Sequence, residues 1–389
     1  MSKALRLPVQ QYYRIGVGMF FFIQGLVFSS WTSRIPDIKN TLQLSDGALG
    51  GILFALPIGQ LTAMNISGYL VGRFGSKRVL SIAVLFYPAV LVLLGLVQST
   101  WQLIGGLFLF GIAANLCNIS INTQGVGVER IYRRSIMASF HGLWSLAGFT
   151  GGLIGQILVA NHIPPFHHFI IMYVITGGIM LVARQYMLPR DAHHSNQQQP
   201  APKRRIFVKP DKYIVQLGII AFASMVCEGT MFDWSSIYFE KIVNAPTEYT
   251  RLGFIAFMCT MAGGRFAADY LVSRFGVSNI IQISGVVILT GMLLAVLFPT
   301  IYMSTLGFLL VGFGTSAVVP MAYSMAGKSK TMLPSVALAS VSSIGFLGFL
   351  IGPPLIGMIS ELTNLRISFA VIAVLGLGTT VMARRLSKS

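Results

Sequence analysis

Charged side chains are scarce in this sequence. Only 10% of its 389 residues are Asp, Glu, Lys or Arg, whereas soluble domains carry roughly 25%. Because 54% of the residues are hydrophobic and the mean hydropathy is +0.73, the chain lacks the material for an ordinary water-facing surface. Its apolar runs are about 20 residues long and do not alternate in polarity, which predicts membrane-spanning helices and argues against a β-barrel.

Acidic residues and cysteines are fewer still. Eleven Asp and Glu stand against 28 Lys and Arg, a net charge of +17. The basic residues form short clusters between apolar runs and no basic face, so we expect no nucleic-acid partner. The three cysteines have no pairing or metal-ligand spacing, so we expect no metal site. Phosphate-binding and catalytic-triad patterns are missing, which predicts a protein that is not an enzyme and needs no cofactor.

Twelve apolar runs can be counted along the chain. They cover residues 14–31, 47–71, 79–97, 103–128, 135–160, 169–187, 213–239, 252–272, 280–298, 302–326, 334–359 and 367–382. One long polar segment, rich in Gln, Pro and His, separates the sixth run from the seventh. We therefore predict an all-α integral membrane protein with twelve transmembrane helices in two pseudo-symmetric six-helix bundles, 1–187 and 213–389, joined by a cytoplasmic linker at 188–212.

A seven-residue phrase occurs in both halves. Residues 69–75 (YLVGRFG) return at 270–276 (YLVSRFG), with six of seven positions identical. In both places the phrase ends one apolar run and precedes another. It therefore predicts the same short turn between two membrane helices, repeated because the half-molecule is duplicated.

The distribution of Lys and Arg predicts the orientation. With the N-terminus inside, 22 of these residues fall on the cytoplasmic side and 5 on the other. This bias predicts that both termini are cytoplasmic, in a multi-pass protein of the bacterial inner membrane.

The turn after the second run has a recognisable spacing, Gly-x-Leu-x-x-Arg-x-Gly-x-Lys-Arg, in residues 68–78. Together with the twelve runs it resembles the major facilitator superfamily over essentially the whole chain. Shorter stretches, such as residues 30–36 (SWTSRIP) and 352–354 (GPP), resemble the fucose-permease branch of bacterial permeases. The resemblance implies transport by alternating access. One position departs from the family pattern, because Gly72 and, in the second copy, Ser273 stand where the family usually has Asp.

Three titratable residues in or near the runs are candidates for proton coupling. Glu228 lies about 15 residues into the seventh run, where a carboxylate is costly unless it is neutral, paired or hydrated. A structural Glu is the alternative. Asp233 follows near the outer boundary, where ordinary interfacial polarity would also account for it. His141, in the fifth run, suits a proton relay or a hydrogen-bonded core position.

The candidates for solute binding are mainly amides. Three asparagines of the fourth run share one helical face at i, i+3 and i+7, so we expect them to face a cavity or another helix. Gln24 could add a polar contact, and two tryptophans could add stacking surfaces, although an aromatic belt at the interface would explain them too. The asparagines and tryptophans are Asn115, Asn118, Asn122, Trp31 and Trp234.

Four charged residues are candidates for gating. Arg265 and Asp269 are four residues apart in the eighth run, the spacing of a same-face pair, and predict a latch near the cytoplasmic side. Arg73 and Arg274, in the repeated turn, mark the cytoplasmic hinge of each half.

These features together predict a secondary active transporter of a small polar solute, working as a proton-coupled symporter with the proton gradient as its energy source. A proton-driven exporter of drugs or metabolites is the alternative, and a membrane receptor that binds without transporting is less favoured. We expect a monomer whose partners are the solute, protons and the lipid bilayer.

Overall fold

A computed structural model of the protein describes residues 8–132, 136–189, 191, 210–329, 332 and 334–386. Apart from two short 3₁₀ turns, the regular structure in these residues consists of α-helices: α1 (Val9–Thr41), α2 (Asp46–Leu53), α3 (Ala55–Phe74), α4 (Ser76–Leu94), α5 (Thr100–Tyr132), α6 (Met137–Ala160), α7 (Pro165–Ala183), α8 (Lys212–Lys241), α9 (Leu252–Phe275), α10 (Val277–Leu297), α11 (Ile301–Gly327), α12 (Pro334–Leu362) and α13 (Leu365–Leu386).

The helices make twelve membrane spans, which confirms the predicted fold class. Only Phe54 separates α2 from α3, so these two helices form one bent span. Eleven of the resulting spans are long and apolar enough to cross a bilayer by length and composition alone. The twelfth, α9, has 24 residues, or about 36 Å. It carries Arg265, Asp269 and Arg274, which lower its hydropathy.

The spans are arranged in two bundles with related internal packing. Helices α1–α7 form one half and α8–α13 the other, with α1 packed on α6 as α8 is packed on α12, and α3 on α5 as α9 is on α11. The halves meet along two helix pairs, α6 with α9 and α2 with α12. We call the end of the bundle where α1 and α8 terminate and α2 begins the Asp46 end, and the end where α3 and α9 terminate the Arg73 end.

The repeated phrase forms the same turn in both halves. Gly75 and Gly276 end α3 and α9 with φ of +82° and +80°, a backbone conformation that glycine adopts without strain. Their N–H groups donate to Val71 O and Val272 O at 2.9 and 2.8 Å. The sequence identity therefore corresponds to identical local geometry.

The first helix is longer than its apolar run predicts. Helix α1 continues to Thr41, ten residues beyond the predicted end at 31. Arg34 lies in this added length of helix and is only 2% exposed. Its guanidinium donates to Ile163 O at 2.8 Å and to His168 Nδ1 at 3.0 Å. Hydropathy alone does not register a charged helix end whose partners come from another helix.

Most of the predicted linker lies outside the described residues. Of residues 188–212, the structure describes 188, 189, 191 and 210–212. Within them, the Asp191 carboxylate accepts a hydrogen bond from the Ser76 N–H at 2.7 Å, so Asp191 caps the start of α4.

Candidate functional site

A cavity of about 410 Å³ lies between the two halves, within the range of roughly 300–1,000 Å³ typical of small-molecule sites. Its wall is formed by residues of α1–α6, α8, α9, α11 and α12. The lining residues are Phe21, Gln24, Phe28, Leu53, Leu56, Pro57, Gln60, Tyr87, Ala114, Asn118, His141, Trp144, Met225, Glu228, Gly229, Phe232, Asp233, Arg265, Tyr323, Phe346, Phe349 and Pro353.

An ion pair lies in the wall of this cavity. Glu228 Oε1 of α8 is 3.2 Å from Arg265 Nη2 of α9, and the two side chains are only 9% and 16% exposed. Arg265 Nη1 also donates to the Ser145 hydroxyl of α6 at 2.6 Å, and the guanidinium carbon lies 5.9 Å from the centre of the Trp144 ring. Arg265 therefore joins a carboxylate of its own half to a hydroxyl of the other half.

The pair gives the cavity a chemical property that neither residue has alone. Two isolated charges at this depth would be costly, and each side chain offsets the cost of the other. Protonation of Glu228 would leave the Arg265 guanidinium without its counter-charge. A proton on Glu228 would thereby change how strongly Arg265 holds any other acceptor, including Ser145 or a solute.

The other two proton-coupling candidates also line the cavity. Asp233 lies five residues after Glu228 in α8, about 7.5 Å further toward the Asp46 end. Among the described residues, its carboxylate makes neither a hydrogen bond nor an ion pair. The His141 ring of α6 packs edge-on against Phe21, with the ring centres 5.4 Å apart. The structure thus brings Glu228, Asp233 and His141 to one cavity.

The predicted amide stripe reaches the cavity at one position. Asn118 lines it, and Asn122 Nδ2 donates to Asn118 O at 2.8 Å. The Oδ1 atom of Asn115 is buried and has no hydrogen-bond partner in the described part of the chain. Gln24 lines the cavity and donates to Ala114 O at 3.4 Å. Asn118 and Gln24 are therefore the amides placed to contact a solute.

The two tryptophans do not offer stacking surfaces to the cavity in this arrangement, which corrects their expected placement. Trp31 is 1% exposed and Trp234 is fully buried. Trp31 packs against Phe110 of its own half, with the ring centres 6.3 Å apart. Because equivalent positions of α1 and α8 face the interior of each bundle, these side chains belong to the helix packing.

The gating candidates are separated. Arg73 donates to the Tyr69 hydroxyl, and Arg274 donates to Tyr270 at 3.1 Å, so both stay at the Arg73 end. Arg265 pairs with Glu228, and its expected pairing with Asp269 stays a prediction. The side chain of Asp269 lies outside the described part of the chain.

The Asp46 end of the interface is held by a buried acid. The Asp46 carboxylate lies 3.1 Å from Lys39 Nζ of α1 and 2.7 Å from Lys241 Nζ of α8, and it accepts from the Ser360 hydroxyl of α12 at 2.6 Å. Nearby, the Gly47 N–H donates to Glu361 of α12 at 3.0 Å. Two helices of each half therefore converge on one carboxylate.

A second charged contact reinforces the same end. Arg251, at the start of α9, is 3% exposed and lies 2.5 Å from the Asp37 carboxylate of α1. Its Nε donates to Ser33 O at 3.0 Å, and its N–H donates to Gln156 of α6 at 3.0 Å. Among the polar contacts between described residues of the two halves, the Arg265–Ser145 bond is the one that lies away from this end.

Backbone proximity also closes the Asp46 end. A Cβ on Gly50 of α2 would lie 2.7 Å from Pro353 O and 2.9 Å from Gly357 Cα of α12. Such contacts show that the two helix backbones touch at this point, which small residues permit.

The sequence analysis did not predict that the Asp46 end is closed. Asp37, Asp46 and Arg251 flank apolar runs, and the sequence analysis assigned none of them a role. Their positions could have indicated a charged contact, because acidic and basic residues occur together at the outer ends of apolar runs from different halves. Ser145 carried no signal of its own, because a single Ser in an apolar run is common.

Comparison with known proteins agrees with this architecture. The family model described as Major Facilitator Superfamily matches residues 17–336, which covers most of both bundles. The chain belongs to the Major Facilitator Superfamily. It is thus a multi-pass membrane transporter, and the cavity lies where a superfamily member needs a solute site, between its halves.

Relatives of this superfamily member extend over nearly its whole length. An uncharacterized MFS-type transporter of Yersinia pestis is 28% identical over 375 residues, covering 96% of each chain. The membrane protein MosC of Rhizobium meliloti is 31% identical over 361 residues, covering 92% of this chain and 86% of MosC. The crystal structure of a mutant of the nucleoside transporter NupG shares the fold, with a TM-score of 0.76 at 13% identity, covering 96% of this chain and 99% of that one. Membership of the fucose-permease branch stays a prediction.

Proposed function

We propose that this transporter is a proton-coupled symporter that moves a small polar solute across the bacterial inner membrane by alternating access. Glu228 takes up and releases the proton, and Arg265 responds to its charge. Asn118, Gln24 and His141 contact the solute from the other half. The small polar solute is supported by the mixture of amides, carboxylates and aromatic rings in a cavity of about 410 Å³.

The Glu228–Arg265 pair is the observation that carries this proposal. An ion pair at this depth is expensive to build, and its members are placed where both a proton and a solute can reach them. Since Arg265 also contacts Ser145 of the other half, a change in the charge of Glu228 acts on the contact between the halves. That is the link a coupled transporter requires between protonation and movement.

The proposed orientation makes this conformation inward-facing. The excess of Lys and Arg, 22 against 5, favours a cytoplasmic location for the Arg73 end and for both termini. The Asp46 end, where the charged contacts and the Gly50–Gly357 approach lie, is then the closed outer gate. Opening it requires Asp46 and Asp37 to lose their partners in the other half.

The experiment is transport by the purified protein in proteoliposomes with an imposed pH gradient. A thermal-shift screen of sugars, amino acids, nucleosides, organic anions and amines identifies the solute. A symporter accumulates that solute on the side with the higher pH, and a protonophore abolishes the accumulation. Movement of the solute against the proton flux would instead support an exporter. Accumulation that does not depend on the pH gradient would contradict proton coupling.

A further inference from the structure

Asp233 is the one charged group of the cavity that the described residues leave without a partner. Glu228 and Arg265 neutralise each other, whereas the Asp233 carboxylate lines the same space with no hydrogen bond and no ion pair in the described ranges. A carboxylate at this depth is unfavourable unless something compensates it. When Asp233 is ionised, a cation in the cavity can compensate it.

The charges of the cavity wall favour such a cation. Arg265 pairs with Glu228 and donates to Ser145, and among the described residues it makes no ion pair with Asp233. With both carboxylates ionised, the two acids and one guanidinium leave a net charge of −1. One positive charge placed beside Asp233 brings this total to zero.

The uncharged wall beside Asp233 is aromatic. Phe232, the preceding residue, packs against Phe28 and Trp144 of the other half, with ring centres 5.2 and 6.0 Å apart, and it stacks on Phe349 at 6.4 Å. All four rings also line the cavity. Aromatic faces attract organic cations through the ring quadrupole, most strongly where water is excluded.

We propose that the solute is an organic cation and that Asp233 binds its ammonium group against the rings of Phe232 and its neighbours. This inference rests on the proposed function, since it names the class of solute that the transporter carries. Asp233 is a different side chain from the Glu228–Arg265 pair, so solute recognition and proton coupling are assigned to separate parts of one cavity.

The test is equilibrium binding to the purified full-length protein in detergent, measured by isothermal titration. The probes are two matched pairs, choline with its neutral isostere 3,3-dimethylbutan-1-ol, and glucosamine with glucose. The wild type should bind at least one of the two cations about tenfold more tightly than its neutral partner. Asp233→Asn should abolish this preference, and Asp233→Glu should retain it. Glu248→Gln, an exposed acid at the Asp46 end, should leave it unchanged.

Two results would overturn the inference. One is that neither cation binds better than its neutral partner in the wild type. The other is that the preference persists in Asp233→Asn with a melting temperature close to the wild-type value. Because binding is measured without a gradient, failure of proton coupling in proteoliposomes would leave a cation preference intact. Loss of the preference would likewise leave coupling through Glu228 untouched.

Discussion

The Arg251 guanidinium of α9 lies 2.5 Å from the Asp37 carboxylate of α1, and this contact ties the two halves together at the Asp46 end. Arg34 shares the same carboxylate at 3.6 Å. Both arginines are almost fully buried, so Asp37 is the group that balances them. In an alternating-access protein this carboxylate must release Arg251 whenever the Asp46 end opens.

Asp37→Asn should therefore favour opening of that end. Removing one member of a buried pair costs roughly 3 kcal/mol, and the part of this cost that falls on Arg251 of the other half is borne only by the closed state. Spin labels at Trp101 and Tyr302, the strongly exposed second residues of α5 and α11, report the separation on a cysteine-free background. The variant should populate longer distances than the wild type, and Glu248→Gln should not. Identical distance distributions in wild type and Asp37→Asn would rule out a gating role for this pair.

Two adjacent glycines of α2 provide a matched test of the close helix approach. Alanine at Gly50 would place its Cβ 2.7 Å from Pro353 O, whereas a Cβ at Gly51 meets nothing within 4 Å. Overpacking of this kind costs about 1–3 kcal/mol. Gly50→Ala should lower the melting temperature and lengthen the Trp101–Tyr302 distance, while Gly51→Ala should do neither. Equal behaviour of the two variants would contradict the backbone contact between α2 and α12.

The ion pair of the cavity predicts strong non-additivity. Glu228→Gln and Arg265→Gln each leave one charge uncompensated in the membrane, whereas the double variant removes both. In thermal unfolding of the wild type and the three variants, the double variant should therefore lose less stability than the two single variants lose together. The difference, the coupling energy, should be about 1–3 kcal/mol. Additive losses would mean that the two side chains do not interact in the protein.

The repeated turn predicts equal backbone sensitivity in both halves. Gly75 and Gly276 have φ near +80° and ψ near +150°, a region that costs other residues about 1–3 kcal/mol. Gly75→Ala and Gly276→Ala should lower the melting temperature by similar amounts. Gly72→Ala, inside α3 with open space around it, is the control and should cause no loss. If Gly75→Ala lowered the melting temperature and Gly276→Ala did not, the duplication would no longer extend to this turn.

Sequence patterns predicted the fold because the bilayer imposes them. Long apolar runs must become helices, and the repeated phrase around Gly75 and Gly276 marks equivalent turns. The same patterns located Glu228, Asp233 and His141, because a titratable group inside an apolar run is conspicuous. All three reach the cavity.

Contacts between side chains of different helices could not be predicted from these patterns. Arg265 pairs with Glu228, which lies 37 residues earlier in the chain, and no helical spacing indicates such a partner. The Asp46 network draws on α1, α2, α8 and α12, so its members come together only after the halves pack. Trp31 and Trp234 were misplaced for the same reason, since rotation of a helix about its axis is set by its neighbours.

Glu228→Gln separates solute exchange from solute accumulation, and so tests whether Glu228 carries the coupled proton. Gln keeps the shape and hydrogen-bonding capacity of Glu but cannot carry a proton, so the halves can still rock around a bound solute. In proteoliposomes we expect this variant to retain exchange of labelled for unlabelled solute at equal concentrations and to lose accumulation driven by a pH gradient. Glu248→Gln should retain both activities. Accumulation by Glu228→Gln at the wild-type level would contradict proton coupling through Glu228.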